Sequence, residues 1–132
     1  MSDYLEGKLI DHIFRTGSFT KPTTLAVGLF TAAPSDSGGG TEVTGGSYAR
    51  ATLNPLDANW AAPSAGNGVT SNLAAITFPT PTGNWGTVTH FGVFDATSSG
   101  NLLLWGSLSP TVVIATGDTV RFQIAQLAFS FK

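Results

Sequence analysis

The chain has 132 residues, 42% of them apolar and only 11% charged, with a net charge of −2 and no cysteine. This length suits a single domain, residues 1–132, with a core of its own. The charge deficit, against roughly 25% in a typical soluble domain, points to a protein that covers surface against partners. It excludes the electrostatic footprint of a nucleic-acid binder, because Lys8, Arg15, Lys21, Arg50, Arg121 and Lys132 are scattered. Without cysteine there is neither a disulfide nor a thiolate metal site.

Residues 2–15 are predicted to form the one helix. Ser2 is a capping residue, and Asp3 and Glu6 fall in the first turn, where the helix dipole favours anions. Leu5, Leu9 and Ile13 recur every four residues, and Ile10 and Phe14 widen that stripe. Gly17 follows as a stop. The charges interrupting MSDYLEGKLIDHIF argue against a signal peptide or a membrane span, so no membrane partner is expected.

Beyond Pro22 the pattern becomes that of strands. TLAVGLFT (24–31) reads as the first, followed by a Gly-rich loop at 32–46 and a short strand near SYARATL (47–53). Residues 59–71 read as loop, and 72–80 as a strand closed by Pro79 and Pro81. GTVTHFGVFDA (86–96) is strongly β-prone. Its THFGVF run is apolar on both parities, which suits burial on both faces or in an interface. TSSGN (97–101) is a turn, with strands expected at 102–110 and 111–115. TGD (116–118) is a tight turn in which Asp118 bonds its own backbone. The segment 119–132 ends the chain as one or two strands, with Val120, Phe122 and Ile124 on one parity. Short strands punctuated by Gly and Pro, without βαβ alternation, give an all-β fold: an antiparallel β-sandwich, jelly-roll-like, with one N-terminal α-helix.

No motif for chemistry emerges. A phosphate loop requires GxxxxGK[ST], but Gly38, Gly39 and Gly40 are followed by Thr41 and Glu42. The glycines are better read as an adaptable excursion. Ser71, His90 and Asp95 are the residue types of a triad, but nothing in their spacing supports one. His12 and His90 with dispersed carboxylates lack zinc spacing. Asp36 and Glu42 carry no EF-hand pattern, and the sparse acids suggest no glycosidase pair. No metal and no cofactor is expected. Trp60, Trp85 and Trp105 are read as core or interface anchors, with glycan contact as the other possibility. Tyr48 and Arg50, residue types enriched at binding hot spots, close the Gly-rich loop and are candidate intersubunit anchors. The Leu5/Leu9/Ile13 stripe is a candidate docking face.

Several stretches together resemble a family of small structural proteins from tailed-bacteriophage virions: YLEGKLIDHIFR, LFTAAPSDSGGGTEVTGGSYAR, AITFPTPTGNWGTVTHFGVFDA, GNLLLWGSLS and the late TGD. The resemblance runs from about residue 4 to 130. It implies a virion component without catalytic residues, and the Gly-rich segment becomes an assembly loop. The leading expectation is a capsid decoration or cement protein that self-associates and binds the major capsid protein or tail proteins. A homotrimer follows from the local three-fold sites of capsids. The alternative is a tail-fibre or receptor-binding module that recognises host-surface glycans. A depolymerase would require two close carboxylates in a cleft.

Overall fold

The computed structural model describes residues 1–63 and 67–131, with one helix, α1 (Asp3–Phe14), and nine strands. The strands are β1 (Ala26–Ala32), β2 (Thr41–Glu42), β3 (Ala51–Thr52), β4 (Val69–Ser71), β5 (Ile76–Thr77), β6 (Gly86–Phe94), β7 (Leu102–Ile114), β8 (Arg121–Phe122) and β9 (Ala128–Ser130). All pairings are antiparallel. The expected β-dominated fold with an N-terminal helix is therefore in place.

The main sheet runs β2-β1-β6-β7, and β3 shares with β2 the outer edge of β1. Two short ribbons, β4–β9 and β5–β8, face it in place of a second continuous sheet. The core lies between these layers. Val27, Leu29, Val88 and Val93 of the sheet meet Ile76, Phe78 and Leu127, with Phe122 and Phe129 packed against them. A smaller cluster of Phe30, Phe94 and Leu102, with Trp105, lies apart from this core. It sits over a shallow trough, because Gly28 and Gly92 are cross-strand partners. A Cβ at Gly92 would meet Leu102 Cδ1 at 2.8 Å, and one at Gly28 would meet Glu42 Oε1 at 2.8 Å. Val93 in one cluster and Phe94 in the other give β6 the two-sided cover that its pattern implied.

Several segments depart from the sequence reading. The expected loop 32–46 contains β2, because its chain turns back and pairs Phe30 with Glu42 and Ala32 with Thr41. The expected loop 59–71 ends in β4, whose residues find a partner in distant β9; its residues 64–66 lie outside the described residues. The strand at 72–80 shrinks to Ile76–Thr77. The strands expected at 102–110 and 111–115 are one strand, β7. Its register passes from Val88↔Val112 to His90↔Ser107, leaving Pro110 in a bulge on an edge strand where its missing N–H is tolerated. At 123–126 a turn divides β8 from β9, so Ile124 is 61% exposed while Leu127 is buried.

Asn72 ties the second layer together. It is fully buried, its Nδ2 donates to Ala74 O (2.9 Å) and Gln123 O (2.8 Å), and its Oδ1 accepts from the Leu127 N–H (2.9 Å). Its backbone carbonyl accepts from Ala125, and its N–H donates to Leu127 O.

Candidate functional site

The Gly-rich segment is held by a polar cluster at its end. The Tyr48 hydroxyl accepts from the Leu29 N–H (2.9 Å) and donates to Glu42 Oε1 (2.8 Å). Arg50 pairs with the same carboxylate through two 2.8 Å bonds, Nε to Oε1 and Nη2 to Oε2. Its Nη1 donates to Ala96 O (3.1 Å) and Ser99 O (2.7 Å), and the guanidinium lies 3.4 Å from the Phe94 ring centroid. Only 8% of the Arg50 side chain is exposed. Burial pushes the Tyr48 phenol above its ordinary range, and the adjacent Glu42 charge adds to that shift. Tyr48 and Arg50 thus bond within their own chain, clamping the β2 hairpin and the turn after β6 to β1. Glu42, their common partner, was not singled out from the sequence. The available signal was a lone acid eight residues before a lone arginine in a charge-poor stretch.

The helix is anchored by its start. The Ser2 N–H donates to Leu103 O (3.0 Å), and the Ser2 hydroxyl donates to Leu102 O (2.5 Å) and caps the Leu5 N–H (3.2 Å). The Asp3 N–H donates to Asp36 O at 2.9 Å, tying the helix to the Gly-rich segment. Of the predicted stripe, Leu5 is buried, Leu9 is half-buried and Ile13 is 65% exposed. Ile10 and Phe14 are 54% and 79% exposed. The last two turns therefore present an uncovered apolar tip.

Beside the anchored end lies an open apolar groove of about 500 Å³, walled by Leu5, Phe19, Leu56, Trp60, Phe129 and Phe131. Sequence reasoning missed this groove, because its residues come from the helix, two Pro-containing connections and the last strand. The signal was large apolar residues, Phe19 and Leu56, beside Pro22 and Pro55 in segments otherwise read as loop.

The three tryptophans do not form one platform. Trp85 is buried, edge-on to Tyr48, with its indole N–H on Gly46 O (2.9 Å). Trp60 is half-buried in the groove against Phe129 and donates to Leu53 O. Trp105 packs with Phe30, Phe94 and Leu102, and its indole N–H donates to Asp36 Oδ1 (2.9 Å).

Nor are Ser71, His90 and Asp95 brought together. His90 Nδ1 bonds Thr89 Oγ1, Asp95 caps Asn101 in the β6–β7 turn, and Ser71 lies in the ribbon layer. His12 accepts from the Phe19 N–H. Asp36 and Glu42 are held apart by Trp105 and Arg50 respectively. Among the described residues no three His, Asp or Glu side chains converge as metal ligands. No described helix is long and apolar enough to cross a membrane.

The arrangement is thus one of surfaces and clamps. Comparison with known proteins agrees with it. The model of one family, podophage GP4 fiber I protein gp80, matches residues 1–130. No curated protein matches the chain. With nearly its whole length matched, this chain belongs to the family of podophage GP4 fiber I protein gp80, a family of virion structural proteins.

Proposed function

We propose that this protein is a non-enzymatic structural component of the phage fibre, attached through its apolar surfaces. The observation that carries this reading is the match over residues 1–130 to a family described as a fiber protein. It favours the tail-fibre alternative of the sequence reading over capsid decoration. Within the fibre, a structural role is supported over glycan contact by the tryptophans: Trp85 is buried, and Trp60 and Trp105 belong to different clusters. The uncovered helix tip and the groove beside Trp60 supply surface for assembly.

Immunogold labelling of purified particles, with quantitative mass spectrometry against the major capsid protein, tests the assignment. Label confined to the tail, with a few to a few dozen copies per particle, is the expected outcome. Uniform label over the capsid with hundreds of copies would restore the decoration reading.

A further inference from the structure

The helix tip and the groove are complementary, and both belong to the same chain. The tip is convex and apolar through Ile10, Ile13 and Phe14. The groove is concave and lined almost wholly by apolar side chains, with Asp57 its only charged wall residue. Asp57 has no ion-pair partner among the described residues, and the tip carries a cation, Arg15. Arg15 is held only by Asp11 in an exposed i,i+4 pair, an arrangement worth about 0.3–0.5 kcal/mol and readily exchanged.

A chain cannot fill its own groove with its own tip. Leu5 forms part of the groove wall, and Ile13 lies eight residues further along the same helix. That is about 12 Å at 1.5 Å per residue, along a rigid rod. The occupant must come from another molecule. The shape, the apolar lining and the single opposite charge match the tip this chain carries. A net charge of −2 offers little repulsion between copies.

We propose that copies of this chain associate by seating the α1 tip of one in the groove of the next, with Ile13 and Phe14 against Trp60, Leu56 and Phe129, and Arg15 facing Asp57. Trp60 then acts as an assembly anchor. Such a contact closes into a symmetric pair when it is reciprocal and propagates along a fibre when it is not. The inference does not depend on where in the virion the protein sits.

Because the chain has no cysteine, disulfide trapping provides a clean test. Full-length Ile13→Cys and Leu56→Cys chains are oxidised separately and mixed. The mixed product should exceed either homodimer by about tenfold. Predominance of the Ile13→Cys homodimer would mean that tips meet tips and would overturn the proposal. So would a wild-type chain that sediments as a monomer at millimolar concentration. Phe14→Asp supplies the second measurement. Phe14 is exposed in the single chain, so thermal unfolding should be unchanged while the self-association Kd rises about 30-fold or more. An unchanged Kd also overturns the proposal. A monomeric chain that still labels the fibre would remove this inference and leave the proposed function standing.

Discussion

At the scale of single residues, Glu42 accepts hydrogen bonds from both Tyr48 and Arg50, and the hairpin depends on that one carboxylate. Gly28 makes room for it, since a Cβ there would meet Glu42 Oε1 at 2.8 Å and the Tyr48 hydroxyl at 3.3 Å. A buried ion pair of this kind is expensive to break, because removing one partner strands the other without water. The phenol supplies a pH readout. Its folded-state pKa is raised above the ordinary value of 10.0, chiefly by burial. Its contribution to stability is therefore complete below about pH 10 and is lost as pH rises beyond that point. Urea denaturation from pH 8 to 11 should show wild-type stability falling at the alkaline end. Tyr48→Phe should start about 1 kcal/mol lower at pH 8, for its lost hydrogen bonds, and fall less steeply. Parallel curves for the two proteins would place the alkaline loss elsewhere.

At the scale of elements, α1 is a 12-residue helix, a length that is marginal in water on its own. Its stability comes from the Ser2 anchor and from Leu5, whereas its last two turns bury little. Ser2→Ala removes both the cap and the bond to Leu102 O, and should lower stability by about 1–2 kcal/mol. Hydrogen exchange should locate the effect: amides of residues 3–14 exchange faster while those of β1 and β6 are unchanged. Uniform acceleration would show that the helix start belongs to the global folding unit. β7 shows the opposite balance. It gains continuity from pairing with β6 on one side, and its bulge at Pro110 interrupts an edge that would otherwise invite a further strand.

For the molecule as a whole, the second layer is two ribbons of two or three residues per strand, too short to persist without support. Asn72 provides that support by bonding segments 51 and 55 residues away in sequence. Asn72→Leu would leave Ala74 O, Gln123 O and the Leu127 N–H unpaired in the interior. The expected loss is about 3 kcal/mol or more, read as a fall in the urea midpoint. Asn72→Asp retains the acceptor for Leu127 but neither donor, so its loss should be comparable. Full stability in either variant would show that the ribbons are held by apolar packing alone.

The sequence by itself determined what depends on a few neighbouring residues. The helix and its Ser2 cap lie where expected, within one residue at each end. The TGD turn closes with the Ala115 N–H on Asp118 Oδ2 at 2.8 Å. The β class followed from strand-length runs between Gly and Pro, and the virion family from motifs spread along the chain. These features rest on local dihedral preferences and on hydrogen bonds spanning three or four residues. Tertiary structure alone decided which apolar side chains are covered. Leu5 and Ile13 share one stripe, yet one is buried and the other bare, because the sheet meets only the first turn of the helix. Tertiary structure also gave Arg50 its partners at Ala96 and Ser99, joined two expected strands into β7, and gathered the groove from four separate segments. Contacts of that range follow from topology, to which composition and periodicity are blind.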